Sequence, residues 1–212
     1  MVKFMNVVRV TDLGFCFGVK SSIQIALNEL HKKDKQIYIL GMLVHNTIVC
    51  NSLKQMGIKM IELDELSQVD KLNSKIILSA HGTNPELKNE LIRKGYSIID
   101  STCKIVEKNK LEIDRYFDEG FDIIYIGKRN HPESIAVEDK VHLVESVDDC
   151  NNLNIDNNRI VILNQTTMTQ DNIDKLSLAI INKYPNALNV TSMCPITKER
   201  QEKLLSEVIL HH

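Results

Sequence analysis

The chain reads as an α/β protein built on parallel sheets. Three observations point there. Short β-branched runs recur along the sequence without the apolar/polar alternation of a half-exposed strand. Amphipathic helical stretches separate them, with apolar residues spaced three and four apart. Chemically able residues, Cys, His, Glu and Thr, follow the runs directly, where ligands gather in parallel α/β sheets.

The elements follow in order. The apolar runs Met5–Val10, Ile37–Leu40, Ile76–Leu78, Ile123–Ile126 and Ile160–Leu163 are the expected strands. Val19, Ile23, Leu27 and Leu30 make one helical stripe. Ile105 to Phe117 carries Ile105, Val106, Ile113, Tyr116 and Phe117 among charged residues and predicts a second helix. Ile173, Leu176, Ile180 and Tyr184 make a third. The Asn-rich stretch 151–158 predicts a surface loop. Alternation of strand and helix gives parallel pairing with helical crossovers.

Composition narrows the function classes. The 212 residues carry 26 Lys+Arg and 28 Asp+Glu, for a net charge of −2. Such balance argues against a broad nucleic-acid surface while permitting a local basic pocket. No run approaches the ~20 apolar residues of a membrane helix. The first ten residues carry no secretory signal, so a cytoplasmic protein is expected. Five cysteines, an odd number, favour free thiols or a metal site over a disulfide framework.

The strand ends hold the chemistry. They deliver Cys16, His45, His81, Cys103, His131 with Glu133, and Thr166 in succession. Cys16, Cys103 and Cys194 stand 87 and 91 residues apart, which suggests three similar α/β units meeting at one axis, each offering a thiol. Three converging thiolates could hold an iron–sulfur cluster or a zinc ion. Cys103 reads as the start of a helix, where the dipole favours the thiolate. Cys194 precedes Pro195, a pairing seen at ferredoxin-type clusters. Cys50 and Cys150 read as small buried hydrophobes. Asn46 reads as a helix N-cap, and Gln165-Thr166-Thr167 could be capping residues. His31 belongs to the surface, His142 to the structure of a short strand, and Lys128-Arg129 to a solvated pair. Glu133, following Pro132, is expected on a stiff loop beside His131.

Seven motifs stand in one order: Gly14-Phe15-Cys16-Phe17-Gly18-Val19, Val44-His45-Asn46, Ala80-His81-Gly82, Asp100-Ser101-Thr102-Cys103, His131-Pro132-Glu133, Gln165-Thr166-Thr167, and Cys194 followed by Arg200-Gln201. On these, from about Val8 to Glu202, the chain resembles the 4-hydroxy-3-methylbut-2-enyl diphosphate reductases, the IspH or LytB family. The resemblance implies a trefoil of small parallel-sheet units around a [4Fe–4S] cluster. It divides the chain into residues 1–16 and 193–212 of an incomplete third lobe, 17–103 of the first and 104–192 of the second. Cys16, Cys103 and Cys194 would then be the cluster ligands, with one iron left open. His45, His81 and His131 would line the diphosphate pocket, Glu133 would deliver protons, and Thr166 would orient the substrate's hydroxyl.

The implied reaction removes an allylic hydroxyl with two electrons and two protons. No side chain supplies those electrons, so a redox cofactor is needed. The implied partners are an allylic diphosphate and a ferredoxin or flavodoxin donor. The chain is expected to be a monomer, binding neither nucleic acid nor membrane. Two departures stand out. Lys104 follows Cys103 where many members have Pro. A Ser-x-Asn loop expected beyond the Arg200-Gln201 helix is missing, which would leave Leu204, Leu205 and Val208 short of packing partners. A shortened, frame-shifted or cut member of the family is the expectation, with His211-His212 as tag or out-of-frame residues. A binding remnant without turnover, and a zinc or thiol enzyme on the same cysteines, are the competing readings.

Overall fold

In a computed structural model, which describes residues 7, 14–191 and 193–210, two parallel four-stranded sheets follow one another along the chain. The first contains β1 (Gln36–Leu40), β2 (Lys59–Ile61), β3 (Ser74–Leu78) and β4 (Ile98–Asp100) in the order β2-β1-β3-β4. The second contains β5 (Asp122–Ile126), β6 (Val141–Val144), β7 (Ile160–Asn164) and β8 (Leu188–Asn189) in the order β6-β5-β7-β8. One topology is thus used twice. The four described runs expected as strands are the two central strands of each sheet. The edge strands β2, β4 and β8 have three or two residues each, too short to print a pattern. The run Met5–Val10 lies outside the described residues except for Val7, as do His211 and His212.

Both faces of each sheet are covered, which explains the missing alternation. In the first sheet, Ile37, Ile39 and Ile77 pack against Ala26 and the stripe Val19, Ile23, Leu27 and Leu30 of α1 (Phe17–Lys32). On the opposite face Ile76 and Leu78 pack against Leu91 of α3 (Pro85–Arg93) and Leu66 of a 3₁₀ turn, Leu63–Gln68. Between them α2 (Thr47–Gln55) is capped by Asn46, whose Oδ1 accepts from the Val49 amide. In the second sheet, Ile113 and Tyr116 of α4 (Lys104–Asp118) cover Ile123, Tyr125, Val161 and Leu163. Ile173, Leu176 and Ile180 of α7 (Gln170–Lys183) cover Ile124, Ile126 and Ile162. Each fully buried Ile or Leu contributes about 1.5–3 kcal/mol.

Two local expectations change. The segment after His131 is not a loop but a helical turn, α5 (Pro132–Ile135), with His131 at its N-cap and Pro132 in its first turn. Proline fits there because its missing N–H would have no helical partner. The Asn-rich stretch begins inside α6 (Val147–Asn152) and becomes irregular only from Leu153. Cys50 and Cys150 are buried as expected. On α8 (Pro195–Leu210), Leu204, Leu205, Val208 and Ile209 are exposed.

The helices α1, α4 and α8 start alike. The carbonyls of Cys16, Cys103 and Cys194 accept from the amides of Lys20, Glu107 and Lys198, four residues on. Six residues past each cysteine a polar side chain reaches elsewhere in the fold. Ser22 Oγ lies 2.6 Å from Ser101 Oγ, Asn109 Nδ2 donates to the Asn164 carbonyl at 3.0 Å, and Arg200 Nη2 donates to the Gly14 carbonyl at 2.5 Å. Gly18 is packed so closely on Cys103 that a Cβ there would lie 2.5 Å from its Sγ. Helix propensity alone would make Gly18→Ala stabilising by about 1 kcal/mol. The contact reverses the sign: a loss of about 1–3 kcal/mol is expected, read as a lower urea midpoint at unchanged m.

Candidate functional site

The three histidines converge. His45 follows β1, His81 follows β3, and His131 follows β5. The His45 and His81 rings are 4.2 Å apart between centroids, His45 and His131 5.4 Å, and His81 and His131 5.6 Å. One ligand-capable nitrogen of each lies within 4.8 Å of the others. Asn130, in the left-handed region at φ 61°, turns the chain into His131, and Asn accepts that conformation readily.

The site is short of positive charge. Burial first, then His45 and His131, hold His81 down to about 4. Burial and His45 also lower His131. At neutral pH both rings are therefore neutral and each carries a single N–H. The His81 Nε2 is buried without a hydrogen-bond partner among the described residues. His131 Nδ1 accepts from the Glu133 amide at 3.1 Å, so its proton sits on Nε2. That tautomer separates two uses of the trio. A metal-bound histidine normally donates its second N–H outward. His131 accepts there instead, which leaves Nε2–H as a donor for an anionic oxygen.

Glu133 lies beside this trio at 4% exposure. Gly127 makes room for its helical turn, since a Cβ there would meet Ser134 Oγ at 2.7 Å and the Tyr125 ring at 3.0 Å. Glu133 Oε1 accepts from the Thr166 amide at 2.8 Å, from Tyr125 Oη at 3.4 Å and from Asn109 Nδ2 at 3.5 Å. Among the described residues Oε2 meets only Thr166 Oγ1, at 3.1 Å. Burial outweighs these donors and pushes the carboxyl up to about 7. Three donors occupy Oε1, so the proton of the neutral acid belongs on Oε2, facing Thr166.

Cys16, Cys103 and Cys194 are free and half-buried. The Cys103 amide donates to the Ala80 carbonyl at 2.9 Å, and the Cys194 amide to the Thr166 carbonyl at 2.8 Å. Each acceptor stands two residues past a central strand, so the two sheets deliver their thiols identically. One zinc ion at about 2.3 Å from each sulfur would draw three thiolates to about 4 Å from one another. Among the described residues the ligand trio so gathered is histidine, not cysteine.

Other residues fall as follows. Gln165 Oε1 accepts from the Lys128 amide, and Thr169, rather than Gln165-Thr166-Thr167, caps α7. Lys128 pairs with Glu145, and Arg129 with Asp149 and Glu145. His31 is exposed. His142 is exposed on β6, where it pairs with Asp122. Asn109 and Tyr125 were absent from the sequence-derived set. Both carried a signal: an amide in the apolar stripe of a helix, and a phenol inside a wholly buried strand run, each of which needs a partner.

The family model described as LytB protein matches residues 7–208. The chain belongs to the LytB family. A relative from Geobacillus kaustophilus, named 4-hydroxy-3-methylbut-2-enyl diphosphate reductase, is 36% identical over 96% of this chain and 67% of its own. One of the same name from Bacillus pumilus is 39% identical over 93% of this chain and 66% of its own. The solved E-1-hydroxy-2-methyl-but-2-enyl-4-diphosphate reductase of Plasmodium falciparum matches with a TM-score of 0.81 and 31% identity, over 89% of this chain and 61% of that one. The LytB relatives are thus enzymes, and this chain spans about two thirds of the length of the curated ones. No helix of the described residues is long and apolar enough to cross a membrane.

The buried acid and the buried imidazole pull stability in opposite directions. Glu133 is raised from 4.5 to about 7, so between those values the folded state holds a proton the unfolded state has lost. Its contribution is complete below pH 4.5 and falls by about 3 kcal/mol as pH climbs to 7. His81 is lowered from 6.5 to about 4, so its contribution rises with pH across that interval. Glu133→Gln, which mimics the neutral acid, is expected to abolish the first slope and expose the second. Denaturant titrations from pH 4 to 8 read both.

Proposed function

We propose that this chain performs the LytB reaction, reductive dehydroxylation of (E)-4-hydroxy-3-methylbut-2-enyl diphosphate to isopentenyl and dimethylallyl diphosphate in the non-mevalonate isoprenoid pathway. The observation that carries this reading is one constellation: a histidine trio, with His81 and His131 held neutral, beside a buried carboxyl poised near neutrality.

The thiols fit an iron–sulfur group. All three are free, half-buried and placed at helix starts. Cys16, Cys103 and Cys194 would hold a [4Fe–4S] cluster, with electrons from a ferredoxin or flavodoxin. When bound, the cluster supplies those electrons and a Lewis-acidic iron.

The protein's own groups do the rest. His45, His81 and His131 receive the diphosphate, whose charge raises the imidazole pKa values and turns plain hydrogen bonds into charge-assisted ones. Glu133 carries its proton on Oε2, beside Thr166 Oγ1. Thr166 is itself held by its amide on Oε1, so its hydroxyl can take that proton while donating its own toward a leaving hydroxyl. Hydroxide leaves poorly without such a proton. Burial of Glu133 keeps the acid form available at neutral pH.

Two measurements test the reading. Inorganic diphosphate should bind with net proton uptake, and more tightly as pH falls from 8 to 6. Calorimetry in buffers of differing ionisation enthalpy reads this, and His81→Ala or His131→Ala should weaken binding at least tenfold. Anaerobic reconstitution should give a brown protein with about four irons, lost in Cys103→Ser, which turns over substrate with a reduced donor. A folded chain that takes up no iron sinks the proposal. Iron and diphosphate binding without turnover would instead support the remnant reading.

A further inference from the structure

Glu133 borders a second space besides the histidine site. A cavity of about 240 Å³ lies among α3, α4, β5 and α5. Glu133, Tyr125 and Asn109 line it, together with Lys88, Asp100 and Lys110. None of the three histidines is among its described lining residues. The two carboxylate oxygens divide accordingly. Oε2 meets Thr166 Oγ1, while two of the three partners of Oε1, Tyr125 Oη and Asn109 Nδ2, are cavity residues.

We infer that Glu133 is recharged with protons through this cavity, and that Asn109 and Tyr125 are positioning residues holding its Oε1 toward cavity water. The inference rests on the proton-delivering role proposed for Glu133. A water molecule needs about 10–15 Å³ of such space and two to four polar partners, so the cavity accommodates several. The balance is simple. Delivery from Oε2 leaves Glu133 a carboxylate; cavity water gives a proton to Oε1 in place of one of the donors there; the hydroxide so formed takes one from bulk solvent, and a half-turn of the carboxyl about Cγ–Cδ brings the protonated oxygen to Thr166. One proton moves from solvent to Glu133, and no bond to carbon changes. The titratable groups around this path are Tyr125 from β5, Glu107, Lys110 and Asp114 from α4, Lys88 from α3, Asp100 from β4, and His131 beside Glu133. Neither buried positioning residue is the source of the proton. Asn109 does not titrate, and burial raises Tyr125 well above the ordinary phenol range.

The test follows Glu133 protonation after a light-triggered pH jump, by its infrared carbonyl band, assigned with Glu133→Gln. The full chain is used with and without saturating inorganic diphosphate. Asn89→Trp at the exposed rim and Val106→Phe in the wall narrow the cavity, with circular dichroism reporting the fold. Diphosphate is expected to change the protonation rate less than twofold, and each folded narrowing variant to slow it at least tenfold. Tyr125→Phe and Asn109→Leu should raise the Glu133 pKa, because each removes a donor to the charged form, an effect a merely structural role would not produce. If diphosphate slows protonation and neither narrowing variant does, the cavity route is wrong. Should Val106→Phe fail to fold, Asn89→Trp alone decides. Failure of diphosphate to bind would count against the proposed function, and the variants without diphosphate would still judge the cavity.

Discussion

A single backbone hydrogen bond, made once per sheet, underlies the arrangement of this protein. The amide of Cys103 donates to Ala80, and that of Cys194 to Thr166, each acceptor two residues beyond a central strand. The bond ties the start of the following helix to the carboxyl edge of the sheet it leaves. A thiol is thereby fixed at a helix N-terminus and beside the strand-end loops at once. The second bond has a further effect. Thr166 gives its carbonyl to Cys194 while its amide and hydroxyl hold Glu133. The position of the acid and the position of the thiol are set by one residue.

Charge is arranged with similar economy. The site gathers three imidazoles and an acid, and burial removes charge from the groups it reaches. Burial and neighbouring rings lower His81, and burial raises Glu133. The neutral His81 and His131 rings do not repel each other at a separation of 5.6 Å. An arriving anion supplies what the site lacks. A fully charged resting site would require counter-ions, which the substrate would have to displace.

Much of this was legible in the sequence. The central strands announced themselves because burial on both faces forces continuous apolar runs. The histidines, Glu133 and Thr166 were legible because each stands just past a strand. Edge strands such as Lys59–Ile61 and Leu188–Asn189 left almost no signal, since pairing on one side asks little of their side chains. The helical turn over Pro132–Ile135 is four residues long, too brief for any periodicity. Asn109 and Tyr125 escaped for another reason. Their partners lie 24 and 8 residues away, and only tertiary packing brings them to the same carboxylate.

The polar residues six positions past each cysteine grade the three seams of the molecule. Ser22 with Ser101, and Asn109 with Asn164, are sealed from water, so separating them would strand polar groups in an apolar interior. Arg200 on Gly14 is exposed, and solvent replaces that bond at little penalty. Breathing motions therefore have a preferred order. The seam joining α8 to the loop before α1 opens first and reversibly, while the two interior seams hold. Cys16 and Cys194 flank that seam and Cys103 does not, so the thiols differ in how readily an iron source, or an oxidant, can reach them.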